Sequence, residues 1–282
     1  MKQNRLRLSL VIPAFNEEAQ LYDCLLAVEN QIDPADEVIV VNNNSLDCTA
    51  AVAAKFGFVS LINESRQGLR FARNAGMNAA SGEIIGRIDA DTRLKPDWTA
   101  QARQLFSADA ELMAATGPVY YHDMPLPRLS LGGDDFIRAA LNRWQGAPLL
   151  YGSNMVIRRI AWQAVLPKLC RAGEFFEDID LSIHLSGNGC KIGYEPFLVA
   201  GVSARRMDDS PADFYNNLGF YQATFARHNQ FSLAALGAKS VFLAIYPACK
   251  LIRQFYDPLT GKICWDGSAG RLKLQPRPTS NT

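Results

Sequence analysis

The stretch SGEIIGRIDADT, residues 81–92, decides the fold. An apolar run from Ile84 to Ile88 stops at two aspartates set two positions apart, Asp89 and Asp91. Alone, it fits either a metal-and-phosphate site or an acidic turn after an ordinary strand. Three upstream stretches have the same form. LSLVIPAF (8–15), DEVIVVNN (36–43) and FVSLIN (58–63) are short runs rich in Val and Ile, like GEIIGRID (82–89). Between them lie helical stretches such as EEAQLYDCLLAVENQ and LDCTAAVAAKFG, the first with Leu21, Cys24, Leu25 and Val28 at helical spacing. Nearly all-apolar strands alternating with helices predict an α/β fold with a mostly parallel, Rossmann-like sheet flanked by helices.

Each run ends in a polar cluster: FNEE, NNNSLD, NESRQG and DADTR. In an open α/β sheet these carboxyl ends share one edge, where ligands bind. Turn and helix-capping preferences account for Ser45 and Asp47. They do not account for acids, amides and arginines gathering at all four exits.

Bulk properties narrow the choices. The 282 residues suit one large domain, or one domain with an appendage. A net charge of +1 gives no global field for nucleic acid, so no nucleic-acid partner is expected. The six cysteines (24, 48, 170, 190, 249 and 264) form no CxxC pair, which argues against a zinc site and a disulfide framework. MKQNRLRLSLVIPAFNEE reads as a first strand rather than a signal peptide, so a cytoplasmic location is expected.

Farther on, MPLPRLSLGGDD (124–135) reads as a loop and DFIRAALNRW as a helix. LLYGSNMVIRR reads as a strand, FFEDIDLSIHLSGNG as a helix, and GCKIGYEPFLVAGVSARR as a further strand region. Residues 231–258 are unusually apolar, interrupted by Lys239 and broken by Pro247. They are long enough to cross a bilayer, but also suit core helices, an oligomer contact, or a membrane-interface segment with Lys250 and Arg253 at the headgroups. A docking surface is preferred to a true span. The expected division is a domain over 1–230, the apolar helical segment over 231–258, and a partly disordered tail over 259–282, including LQPRPTSNT.

On an extended chain, residues i and i+2 point to the same side, so Asp89 and Asp91 could reach one ion. Mg²⁺ or Mn²⁺ takes one or two carboxylates and completes its shell with phosphate and water. The tripeptide is a weak signal; its context is stronger. VIPAFNEE, VVNNNSLDCT and RQGLRFARNAGMNAASGEIIGRIDADT, in that order and spacing, resemble the family 2 glycosyltransferases of the GT-A fold, from about residue 8 to about 206. The resemblance implies a nucleotide-sugar donor, a divalent metal and inversion at the anomeric carbon. By position it implies that Pro13, Ala14, Asn16 and Glu17 line the nucleoside pocket and that Asn43 faces the base. It places Arg73, Asp89 and Ala90 at the nucleotide, Asp91 with Asp89 at the metal, and Gly152 and Ser153 around the donor sugar. Many relatives carry two acids where this chain has Asn42 and Asn43; the neutral amide leaves a UDP-sugar favoured over a GDP-sugar.

Transfer to a hydroxyl needs a base for its proton. The resemblance supplies an E-D pair at a helix start, Glu177-Asp178, with Asp178 as the base; acids there also simply complement the helix dipole, the role expected of Asp180. Arg70 and Arg73 share a helix face, a natural anion site; Arg87 precedes the two aspartates, and Arg205 and Arg206 fit a site or a solvated surface equally. His184 reads as structural, and Trp144, Trp162 and Tyr121 as core residues before acceptor-stacking ones. The expected acceptor is a sugar, lipid-linked or in a growing cell-envelope polysaccharide, met at the inner face of the membrane by a monomer or an oligomer. A non-catalytic nucleotide-sugar binder is the alternative. A nucleotidyltransferase is disfavoured because PAFNEE lacks a glycine-rich loop.

Overall fold

The computed structural model describes residues 5–145, 148–258 and 260–264. The first half alternates as read: β1 (Leu8–Ala14), α1 (Leu21–Glu29), β2 (Glu37–Asn42), α2 (Thr49–Ala53), β3 (Val59–Asn63), α3 (Leu69–Ala79) and β4 (Ile84–Arg87). There follow β5 (Arg93–Leu94), α4 (Trp98–Ala108), β6 (Leu112–Thr116), β7 (Val119–Tyr121), α5 (Pro127–Gln145), β8 (Met155–Arg158) and α6 (Arg159–Val165). The chain continues through α7 (Glu177–Gly187), β9 (Lys191–Tyr194), β10 (Ala200–Val202), α8 (Pro211–Arg227), α9 (Leu233–Phe255), β11 (Tyr256–Asp257) and β12 (Lys262–Ile263).

The main sheet has the order β3-β2-β1-β4-β8-β6-β9, and β8 is its antiparallel strand. Alternate residues of β1 enter opposite cores. Leu8, Leu10 and Ile12 meet α1 and α4 through Leu25, Trp98 and Phe106, whereas Val11 meets α3 through Ala72 and Met77. Helix α3 sits very close: a Cβ on Gly76 would lie 2.4 Å from Val11 Cγ1 and 2.8 Å from Val41 Cγ2. The chain runs outward from β1 to β2 and β3, then returns to the other side of β1 as β4. That reversal opens a crevice at the carboxyl ends of β1 and β4. A small second sheet, β5-β10-β7, stands beside it.

Two expectations are corrected. The loop expected over 124–135 ends at Leu126; α5 begins at Pro127, where a missing N–H costs nothing in the first turn. Gly132 and Gly133 are carried within it, because Asp134 anchors the helix by accepting from Val119 N (2.8 Å) and Arg138 Nε (2.7 Å). Nor does Pro247 break the last helix: α9 runs through it to Phe255. Tertiary contacts hold the flanking turns. Tyr246 stacks on Phe214 at 4.1 Å and donates to Asp209 O at 2.7 Å, and Arg253 pairs with Asp123 and Asp208. Helix α9 packs on α5 and α8 yet exposes Leu233, Leu236, Leu251 and Ile252. Among the described residues, Ala235–Phe255 meets the length and composition of a membrane span, with mean hydropathy 1.4. The segment LQPRPTSNT and the side chain of Trp144 lie outside the described residues.

Candidate active site

The crevice is built from charges that the sheet brings together across long sequence separations. Asp89 and Asp91 follow β4, Glu17 follows β1, and Arg205 follows β10. Arg205 donates to Glu17 from Nη1 (2.8 Å) and Nη2 (2.5 Å), and its Nε lies 2.9 Å from Asp91 Oδ2. Burial opposes the Arg205 charge, but Asp91 and Glu17 outweigh it and hold its pKa above the ordinary value. His122 Nε2 contacts the Asp91 carbonyl at 3.0 Å.

Arg87, the last residue of β4, is buried beneath the crevice floor. Its Nη2 lies 3.0 Å from Asp89 Oδ1 and 3.2 Å from Glu177 Oε1. Its Nη1 lies 1.6 Å from where a Cβ on Gly152 would stand, so any side chain there would displace the buried guanidinium. Arg73, also buried, donates from Nη1 to the Glu177 carbonyl (2.6 Å) and packs over Trp162 at 5.4 Å. The two arginines thus hold Glu177 by its carboxylate and its carbonyl, which fixes the first turn of α7.

Asp178 is the next residue and is partly exposed on the crevice wall. Its Oδ2 accepts from Gly152 N (2.9 Å) and its Oδ1 from Ile179 N (2.8 Å). Burial, then the neighbouring Glu177 charge, pushes its carboxyl up to about 6 against the opposing pull of Arg87. A carboxylate so tuned is ionised at neutral pH and remains basic enough to take a proton.

The cleft has a volume of about 1830 Å³, beyond the ~300–1,000 Å³ of a single small-molecule pocket. Asp89, Asp91, Gly152, Ser153, Glu177 and Asp178 line it, with Arg70, Arg87, Arg205 and Arg206. The other residues inferred from sequence stand behind that surface. Pro13 and Ala14 end β1 and pair with Val41 and Asn42, and Ala90 is buried in the core. Asn16 adopts φ 52° and accepts from Leu46 N at 2.8 Å. Glu17 holds Arg205, and Arg73 supports α7. Asn43 clamps the loop before α3: its Nδ2 donates to Glu64 O (2.9 Å) and Arg66 O (2.7 Å), and its Oδ1 accepts from Gly68 N (2.8 Å). Trp162 is buried, Tyr121 reaches the cleft, and Asp180 is fully buried rather than merely facing the helix dipole.

Asp89 and Asp91 offer hard oxygen donors at the mouth of the sheet, a donor set that fits Mg²⁺ or Mn²⁺. The Arg205 guanidinium against Asp91 shows that this position already favours a cation. Sequence reasoning undervalued Arg205, because its Glu17 partner lies 188 positions away. It also missed the wall formed by α5, where Arg138 stacks on Tyr151 at 4.0 Å and Asp135 accepts from Tyr194 (2.6 Å). Misreading the start of α5 hid that wall.

Comparison with known proteins bears on the family and the fold. The family described as "Glycosyl transferase family 2" matches residues 9–166. The putative glycosyltransferase EpsH of Bacillus subtilis is 29% identical over 119 residues, which cover 41% of this chain and 35% of that protein. Glycosyltransferase AglE of Haloferax volcanii is 36% identical over 97 residues, 32% of each chain. The match thus spans about a third of the length of these curated relatives. The mannosyltransferase PcManGT of Pyrobaculum calidifontis, solved with GDP-Man and Mn²⁺, superposes with a TM-score of 0.61 at 20% identity, covering 89% of this chain and 74% of that one. Glucosyl-3-phosphoglycerate synthase of Mycobacterium tuberculosis, solved with Mn²⁺, UDP and glucosyl-3-phosphoglycerate, gives 0.54 at 19% identity, covering 87% and 80%. The architecture is the GT-A fold expected from the sequence, and the chain belongs to glycosyl transferase family 2.

Proposed function

We propose that the protein is an inverting glycosyltransferase that moves a sugar from a nucleoside-diphosphate sugar to an acceptor hydroxyl, with Asp178 as the general base. The observation that carries this reading is Asp178 itself: a cleft-facing carboxylate fixed by the Gly152 and Ile179 amides, its carboxyl raised to about 6. Glu177 is a positioning residue, held by Arg73 and Arg87 so that Asp178 keeps one orientation. The cleft volume supports simultaneous binding of donor and acceptor, which direct inverting displacement requires.

Asp91 and Asp89 would hold Mg²⁺ or Mn²⁺, which when bound offsets charge on the departing diphosphate. Gly152 and Ser153 shape the donor-sugar side, and Arg70 extends a basic wall near the start of α3. The donor is a UDP-sugar before a GDP-sugar. The lack of a carboxylate at Asn42 and Asn43 disfavours guanine, whose two adjacent donors a carboxylate would pair better.

The acceptor is a sugar carried by a lipid or a growing polysaccharide, met by the protein from the cytoplasmic side of a membrane. Helix α9 supports this, since it lines the cleft with Ala235, Ala238 and Phe242 while exposing Leu233, Leu236 and Ile252. The deciding experiment measures nucleoside-diphosphate release and sugar transfer by wild type and Asp178→Asn across a panel of UDP- and GDP-sugars with Mn²⁺. Donor binding with transfer lost in the variant is the expected result. Full transfer by Asp178→Asn removes Asp178 as the base, and donor binding without transfer by wild type on any acceptor favours a non-catalytic binder.

A further inference from the structure

Behind α7, away from the cleft, four side chains of metal-binding chemistry converge. Asp180 and His184 are four residues apart on α7 and so share one face. His228 caps the end of α8, and Cys170 lies in the segment leading to α7. Their candidate ligand atoms all lie within 4.8 Å of one another. His228 Nε2 is 2.9 Å from Asp180 Oδ1 and 3.9 Å from Cys170 Sγ, and His184 Nε2 is 3.5 Å from the same Asp180 oxygen. None of the four lines the cleft.

We propose that Cys170, Asp180, His184 and His228 form a closed, four-ligand site for one Zn²⁺ ion that fastens α7 to α8 and to the segment preceding α7. Bond lengths of about 2.0 Å to N or O and 2.3 Å to S make the edges of a zinc tetrahedron about 3.3–3.6 Å. The widest separation, up to 4.8 Å, closes to that with a relative shift of about 1.2–1.5 Å, shared between two side chains. Thiolate and imidazole select zinc over the hard cations suited to Asp89 and Asp91, so the two sites take different metals. Asp180 is completely buried, and its second oxygen accepts from Cys170 N at 3.1 Å, the kind of outer bond that orients a ligating carboxylate.

A metal-free hydrogen-bonded cluster explains the geometry less well. It satisfies His228 through Asp180 but leaves His184 Nε2 buried and without a hydrogen bond. Such a group costs about 1–3 kcal/mol, and a bound ion removes that cost. Sequence spacing pointed away from zinc because the ligands mix three residue types across positions 170 to 228. The fold assembles them.

The test strips the full chain with chelator and titrates it with Co²⁺, then Zn²⁺. The expected result is one equivalent of Co²⁺ with the intense visible bands of tetrahedral coordination and a near-ultraviolet thiolate-to-cobalt band, both bleached by Zn²⁺. Cys170→Ser should lose the thiolate band and His228→Gln the tetrahedral bands, while Asp89→Asn with Asp91→Asn should keep both. The weak spectrum of octahedral oxygen ligation alone, or a thiolate band that survives Cys170→Ser, overturns the proposal. Should those variants fail to fold, alkylation of the wild-type chain decides: Zn²⁺ should protect Cys170, and labelling of Cys170 indifferent to Zn²⁺ sinks the site.

Discussion

Replacing Asp178 by Asn should slow transfer and stabilise the protein, and the stabilisation should depend on pH. The folded carboxyl is raised to about 6, against about 3.9 in an unfolded chain. A raised acid favours the fold when protonated, so its ionisation lowers stability as pH climbs through that interval and has its full effect above about pH 7. The difference corresponds to roughly 3 kcal/mol at pH 8, about half of that at pH 5, and little at pH 4. Asn removes the charge but leaves one of the two amide donors, Gly152 N or Ile179 N, facing an NH₂ group; that forfeits about 1 kcal/mol. The net gain is about 2 kcal/mol at pH 8, which raises Tm by roughly 3–4 °C in a chain of this size. The same substitution should cut turnover by about 10²–10⁴. Thermal unfolding of both proteins at pH 5 and pH 8, beside the transfer assay, checks both halves. A Tm difference that is equal at the two pH values refutes the raised carboxyl, and unchanged turnover refutes the base.

Gly152→Ala places a Cβ against Arg87 Nη1 and should cost about 2 kcal/mol or more, seen as a lower Tm and reduced transfer; Gly132→Ala, which meets nothing within 4 Å in α5, should instead stabilise by about 0.5–1 kcal/mol. Arg205→Gln leaves Glu17 and Asp91 buried without their guanidinium and should cost about 3 kcal/mol. Because that guanidinium lies where a cation is favoured, Mn²⁺ should raise the Tm of Arg205→Gln more than that of wild type.

The sheet was legible because its signal is local. Val38 to Val41 and Leu8 to Ile12 announce buried strands by composition alone, and the polar exits follow from topology. The acids of the cleft were legible for the same reason: Asp89, Asp91 and Asp178 sit at strand or helix ends in recognisable short motifs. What supports them was not. Arg87 reads as an ordinary arginine until Gly152, 65 positions later, leaves the space that buries it. Asn43 looks like a ligand-facing amide, but the structure spends its hydrogen bonds on Glu64, Arg66 and Gly68. Helix α5 was hidden by its paired glycines, whose weak propensity is overridden by the Asp134 anchor and by packing on α9.

The charges around the cleft explain why its two ends should respond to each other. Glu17, Asp89, Asp91, Glu177 and Asp178 face two buried arginines, Arg73 and Arg87, and the part-buried Arg205. The Asp178 carboxyl accepts from the Gly152 and Ile179 amides, and burial and the neighbouring Glu177 charge raise it against the pull of Arg87. Arg87 links the ends, reaching Asp89 with the same nitrogen that reaches Glu177. A divalent cation held at Asp89 and Asp91 draws that shared field towards itself and adds positive charge to the cleft. Added positive charge favours the ionised Asp178, so its carboxyl should titrate lower with cation than without. Proton uptake by wild type relative to Asp178→Asn between pH 4 and 7, measured with and without Mn²⁺, reads this directly. A titration that Mn²⁺ leaves unmoved would mean that the acids after β4 and Asp178 of α7 act independently, and that Arg87 is a structural strut between them rather than a conduit.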